Sequence, residues 1–251
     1  MARIEMRDVT IYIQDGLAGS GNLSANGTAN DVELEVETVV LNTVTTNLIP
    51  VGARLYIDGE TANTVHTVTA RVPTDDGPTT NITITPMLGT GTYNSGNAEG
   101  SITFINQRIE VKVGEGNLTW TEAKEYEYLR ERGDLDTVKE GDEQPVEMSM
   151  EFVYEYVKTQ SGQTILPIDA LKQRGEASEW VSSSSDLCEP YAVDVLVKHC
   201  VPCGTDEDED VLFVDFRTEG FDYDVGEATI AVSGRCNVSE ATVTRSTDTE
   251  C

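Results

Sequence analysis

Residues 145–157 read Pro-Val-Glu-Met-Ser-Met-Glu-Phe-Val-Tyr-Glu-Tyr-Val. In an extended chain, Met148, Met150, Phe152, Tyr154 and Tyr156 fall on one side. Glu147, Ser149, Glu151 and Glu155 fall on the other, interrupted by Val153. A period of two marks a strand with one buried and one wet face. Carboxylates at every second position repel one another, so this side should look at water and not at another sheet. The same period recurs along the chain. Residues 4–13 are rich in β-branched side chains, and Val32, Leu34 and Val36 alternate with Glu33, Glu35 and Glu37. Ile82 and Ile84 alternate with Thr83 and Thr85, and Ile109, Val111 and Val113 with Glu110 and Lys112. Tyr191–Lys198, Val211–Phe216 and Glu227–Val232 read as further strands, with a last one near 238–245. The helical signal is confined to Pro167–Ala177, where Pro opens the first turn and Gly175 weakens the last. The expected fold class is mainly β, a sandwich or barrel with one short helix.

Composition divides the chain. Residues 15–31 and 89–101 are rich in Gly, Ser, Asn and Ala and read as linkers. They flank a compact Thr- and Val-rich β segment. The expected organisation is a discontinuous outer domain, 1–16 with 106–251, carrying an inserted small β-barrel-like domain at 17–105. The chain of 251 residues has a net charge of −28. The insert holds nine acids and two bases, so most of the charge belongs to the outer domain. Acidity on this scale excludes docking on nucleic-acid phosphates, which needs clustered Lys and Arg. No apolar run approaches the ~20 residues of a membrane helix. The first ten residues have no apolar core, so a secretory leader is not expected.

Few motifs point to chemistry. His199, Cys200, Cys203 and Cys236 could form a zinc set, but the second half of a paired-Cys motif is missing and His199 directly adjoins Cys200. A turn at 201–204 with idle thiols is the preferred reading. Any of Cys188, Cys200, Cys203, Cys236 and Cys251 could join a disulfide, and the connectivity cannot be read from spacing. The acids 206–210 lack the spaced ligands of a calcium loop and read as a solvated turn. Arg132-Gly133-Asp134 is a short adhesion-like tripeptide read as a turn. The Asn-x-Ser/Thr sites carry little weight without a leader. Two histidines 133 residues apart and no nucleophile motif support no enzyme and no cofactor. The polar stretch 130–144 reads as a connection between two strands, 107–129 and 145–158. It is long for a compact domain, and such loops are usually functional or disordered.

Three segments carry a family resemblance. They are RIEVKVGEGNLTWTEAKEYEYLRERGDLDTVKEGDEQPVEMSMEFVYEYV from Arg108, CEPYAVDVLV from Cys188 and GEATIAVSGRCNVSEAT from Gly226, with LPIDALKQRGEA between the first two. In order and phrasing they resemble the major tail (tail tube) proteins of tailed bacteriophages. The phrasing IPVGARLYIDGE…VHTVTA…NITITPML within 17–105 resembles small β modules inserted into phage structural proteins. The resemblance implies a virion protein made in the bacterial host cytoplasm. Its hexameric rings would stack into a tube around an acidic channel for DNA delivery. Implied partners are further copies of the chain, the tape measure protein, and the tail terminator and distal tail proteins. DNA would pass without specific binding, and no membrane insertion is implied. Glu147, Glu151 and Glu155, or else Asp222 and Asp224, are the candidates for lining the lumen; the outer surface is the competing location. Arg130, Arg132, Asp134, Asp136, Lys139, Glu140 and Asp142 are the candidates for an inter-ring loop. The alternative is a secreted or surface-displayed β-rich binding module, an adhesin or carbohydrate binder, against which the missing leader weighs.

Overall fold

The computed structural model describes residues 9–41, 44–46, 49–60, 64–73, 79–91, 93–94, 100–111, 113–131, 134–153, 155–158, 164–184, 188–200 and 207–246. Strands dominate. The chain begins with β1 (Val9–Gln14), β2 (Gly19–Asn22), β3 (Glu33–Val36), β4 (Val39–Leu41) and β5 (Val44–Thr46). It continues with β6 (Arg54–Ile57), β7 (His66–Pro73), β8 (Thr80–Thr85), β9 (Ser101–Ile105) and β10 (Arg108–Val111). Then come β11 (Val113–Thr121), β12 (Lys124–Glu131), β13 (Asp134–Glu143), β14 (Glu147–Val153), β15 (Val157–Lys158) and β16 (Thr164–Ile165). A short helix, α1 (Pro167–Leu171), precedes β17 (Val193–His199), β18 (Asp208–Asp224), β19 (Thr229–Cys236) and β20 (Thr242–Ser246). The chain is mainly β, in several antiparallel sheets, none of them closed into a barrel. This is the mainly β class expected, and it is consistent with the sandwich form.

Two compact units emerge. The first comprises 1–13, 110–155 and 192–251; the second comprises 14–109 and 156–191. The second therefore takes in 156–191 as well as the expected insert.

The first unit is built on the order β10-β1-β17-β18-β19-β14-β11, with β20 also on β18. Burial alternates along β14 and β19, as period-two side chains on a half-covered sheet must. Met148, Met150, Phe152, Ile230 and Val232 point into the core. Strand β18 is long because it serves two groups of strands. Residues 208–216 pair with β17 and β20, and residues 216–224 pair with β19. A bulge re-aims it between them. Val193 faces Phe216 and Val195 faces Phe213, so two residues of β18 oppose one of β17. Asp215 sits there at φ 56°, its N–H donating to the Asp194 carboxylate at 2.9 Å. Trp120 of β11 meets Phe213 edge to face with ring centroids 5.2 Å apart. Three strand spacings of about 4.8 Å separate those strands in a flat sheet, so the sheet doubles over on its apolar face. The acids 208–210, expected in a turn, are the first residues of β18. Asp210 approaches Lys198 at 3.5 Å and Glu209 approaches Arg245 at 2.8 Å.

The second unit has an eight-stranded sheet in the order β3-β8-β7-β6-β9-β2-β4-β5. An isolated bridge, Leu23–Val36, brings the end of β3 against the end of β2 without a ladder forming. The curl encloses an apolar core that includes Leu23, Val36, Leu55, Val68, Ile82 and Phe104. The glycines of 15–31 serve packing and not flexibility. Gly19 and Gly21 lie in β2, where a Cβ would collide with the Val40 carbonyl oxygen and with Val39. Likewise Tyr93, within the second expected linker, is buried; residues 92 and 95–99 lie outside the described residues. The segment 156–191 adds β15, β16 and α1. Val181 packs on the same core, and Glu179 binds the Val51 N–H at 2.7 Å and Arg71 at 3.2 Å. Buried Asp15 accepts hydrogen bonds from the N–H groups of Gln107, Leu17 and Val181. The expected helix 167–177 is shorter, because Gln173 and Gly175 adopt left-handed backbone, leaving α1 and a 3-10 turn at Gly175–Ala177.

Candidate functional site

Glu147 and Glu151 lie with Asp222 and Asp224 on one face of the first unit. Antiparallel residues directly opposite each other project to the same side. Glu151 faces Ala231, and Ala231 faces Asp222 on its other side. In the next rows, Ser149 faces Ser233 and Glu147 faces Arg235, which faces Arg217. Asp224 closes the set opposite Thr229. This wet face backs the apolar row of Met148, Met150 and Phe152. Glu151 and Asp222 therefore sit two strand spacings apart, about 10 Å. A bulge between Thr218 and Gly220 adds Glu219.

The face is graded in charge. At one end Arg235 donates to Glu147 at 2.9 Å and lies 3.6 Å from Glu219. The other end carries Glu151, Asp222 and Asp224. Asp224 also has a local task, since its Oδ1 accepts from the N–H groups of Gly226 and Glu227 and so closes the β18–β19 turn. Glu155 does not belong to the ladder: β14 ends at Val153, and the Glu155 N–H bends back to the Val153 carbonyl at 2.9 Å.

The stretch expected as a long polar loop is instead a strand. Residues 134–143 form β13 and pair with β12 as a separate two-stranded ribbon. Arg132 lies outside the described residues, and Asp134 and Asp136 contribute their backbone to β13. Arg130, Lys139, Glu140 and Asp142 are exposed on the ribbon. Tyr126 faces Glu140 and Tyr128 faces Val138, which puts both tyrosines and Val138 on one side. These three are 49, 59 and 54 % exposed. Glu127 and Lys139 pair on the other side. The ribbon leaves from a closed base, because β11 and β14 pair with Thr121 opposite Glu147. Lys124 meets Glu240 at 3.4 Å, and the Ala241 N–H donates to Glu122 at 3.2 Å. Glu240 raises the Lys124 ammonium above its ordinary titration range. The sequence reading passed over Tyr126, Tyr128 and Val138. The alternation Glu125-Tyr126-Glu127-Tyr128 was the signal available for finding the first two.

The cysteines divide. Cys200 is disulfide-bonded, which removes one thiolate from the zinc set; Cys203 and Cys251 lie outside the described residues. Cys236 is a buried free thiol whose pKa burial, with Asp194 and Asp215 nearby, pushes up to about 12. Cys188 is exposed. Among the described residues no three His, Cys, Asp or Glu side chains are grouped to hold a metal ion, and no helix is long and apolar enough to cross a membrane. No protein family, curated protein or solved structure matches this chain.

Proposed function

We propose that the chain is a self-assembling structural protein of the tail-tube type, whose rings stack through the β12–β13 ribbon around a channel lined by the acidic face. The ribbon carries the reading. A two-stranded hairpin is marginal in water unless something covers one side. This one exposes Tyr126, Tyr128 and Val138 together. Such a row, rich in aromatics and standing apart from any sheet of its own chain, has the composition of a protein contact. Free strand edges add support. Among the described strands, β10 and β11 end the main sheet order of the first unit, and unpaired edges invite pairing with another chain. The acidic face fits a channel that DNA crosses without docking, because carboxylates repel a polymer bearing one charge per ~1.7 Å.

Electron microscopy of the purified protein tests this. The wild type should form rings or tubes. A variant in which 124–143 is replaced by a two-residue Asn-Gly turn, closing the β11–β14 hairpin directly, should keep its circular dichroism and lose stacking. A wild type that stays monomeric at high concentration, or tubes that survive the excision, would overturn the reading.

A further inference from the structure

Two exposed structures stand at opposite ends of one ladder in the first unit. At one end Thr121, Glu147 and Arg235 lie side by side, and the β12–β13 ribbon leaves there. At the other end Val153, Thr229 and Asp224 lie side by side, and β18 turns into β19. Between Glu147 and Val153, β14 takes six residue steps of about 3.3 Å, so the ends are about 20 Å apart. The turn carries a cleft of about 320 Å³, bordered among the described residues by Tyr223, Asp224, Val225, Ala228, Thr229 and Ile230. Its floor is apolar, because Ile230 is buried opposite Phe152. Tyr223, opposite Ile230 on the other side, is 53 % exposed, and Val225 is 92 % exposed.

The turn does not need these side chains to form. Asp224 closes it by accepting from the N–H groups of Gly226 and Glu227. Ala228 holds left-handed backbone at φ 53°, where glycine is easier, and its methyl adds to the cleft wall. A single exposed valine is ordinary on a protein surface. Here Val225 stands with a half-exposed tyrosine beside a cleft whose floor is buried, and this is a contact surface in shape. Its rim is acidic, with Asp222, Asp224 and Glu227 exposed. The ribbon has the matching chemistry. Along β12, Lys124, Tyr126, Tyr128 and Arg130 share one side by the period of two, and Val138 faces Tyr128. Glu240 holds Lys124 at the base and Glu140 faces Tyr126, so Arg130 is the cation at the outer end of the apolar row. Turn against turn would bring like carboxylates together, which costs affinity.

We infer that the cleft at the β18–β19 turn is the seat of the β12–β13 ribbon of the next copy. Tyr126, Tyr128 and Val138 cover Val225, Tyr223 and the cleft, and Arg130 meets the acidic rim. This rests on the assembly reading above and adds the receiving surface to it. A donor at one end of a sheet and a receiver at the other make a heterologous contact. Such a contact leaves a donor and a receiver unused after every addition, so it repeats without closing, as a stack requires. A contact between two like surfaces would stop at two layers.

The test compares two variants with the wild-type full chain by sedimentation and electron microscopy. One lacks the donor, through the Asn-Gly replacement of 124–143. The other, Val225→Asp, sets a charge on the apolar part of the receiver. The position is exposed, so the circular dichroism of the wild type should be kept. Val225→Asp should raise the concentration needed for stacking about tenfold or more. Each variant alone should stop at single layers. Mixed, they should give two-layer particles, because one keeps the receiver and the other keeps the donor. A Val225→Asp variant that stacks like the wild type, or a mixture that forms no two-layer particles, would overturn the receiver. The excision judges the assembly reading separately: stacks that survive it overturn that reading whatever Val225→Asp does.

Discussion

The two units treat their polar groups in opposite ways. The second buries them: Gln14, Asp15, Glu60, His66, Thr67, Thr80, Gln107 and Ser184 are the buried polar residues among those described, and all lie in it. Asp15 and Glu60 each accept at least three hydrogen bonds. The first unit keeps an apolar interior and puts its charge outside, with 30 acids against 11 bases where the second has 15 against six. It also extends a ribbon with apolar side chains in water. A unit whose buried carboxylates, Asp15 and Glu60, are satisfied by hydrogen bonds from its own chain is specified in good part by its own contacts. A unit with sheet edges, an exposed ribbon and a face acidic at one end has surface that the proposed reading gives to other molecules. On the reading proposed above, the first unit is the one that assembles, while the second is held chiefly by its own packing.

The contrast can be broken at several levels. The largest effects come from the cores. Leu55→Ala in the second unit should cost about 2–5 kcal/mol, and Phe152→Ala in the first about 3–5 kcal/mol. In urea, each truncation should shift the unfolding of its own unit, followed by amide exchange at Val68 and at Val232. If either mutation shifts both probes equally, the units unfold as one and the contrast concerns surfaces only.

Next is the ribbon. Tyr126→Ser with Tyr128→Ser should leave urea stability within about 0.5 kcal/mol, as exposed substitutions do. Sedimentation should nevertheless show the assembled fraction sharply reduced. A loss of monomer stability larger than 1 kcal/mol, on the same scale, would mean that the tyrosines are covered within the chain.

Charge reversal sharpens the acidic face. Glu151→Lys with Asp222→Lys should make the variant retain duplex DNA that the wild type, on the proposed reading, is expected to release. Retention should fall steeply between about 50 and 200 mM salt. A variant that binds no better than wild type would remove the case for this face as the channel lining.

The smallest effect belongs to Arg235→Ala. Its contacts to Glu147 and Glu219 are about half exposed, so its loss should cost under about 1 kcal/mol by urea titration. A larger cost would show that the arginine anchors this face.

Legibility followed local period. The alternation in 145–157 correctly separates Met148, Met150 and Phe152 from Glu147, Ser149 and Glu151, because a strand on a half-covered sheet must sort its side chains this way. The ribbon was hidden because residues such as Asp134, Asp136, Lys139, Glu140 and Asp142 have low strand preference. Its strand state comes from pairing with β12. The β2 glycines misled for a related reason: composition records small size, while only the neighbours Val39 and Val40 reveal that small size is required.

What the sequence alone determined is the class of fold, the acidity and the sorting of side chains to two faces, since each depends on residues close in the chain. Register and long-range contact decided the rest. That Glu151 and Asp222, 71 residues apart, flank the same alanine is a property of β19 lying between β14 and β18. That His66 is held between an acid and a carbonyl, and that 156–191 packs with the second unit, follows from burial. A buried polar group needs its partner wherever the fold can bring one, and that requirement leaves no periodic trace in sequence.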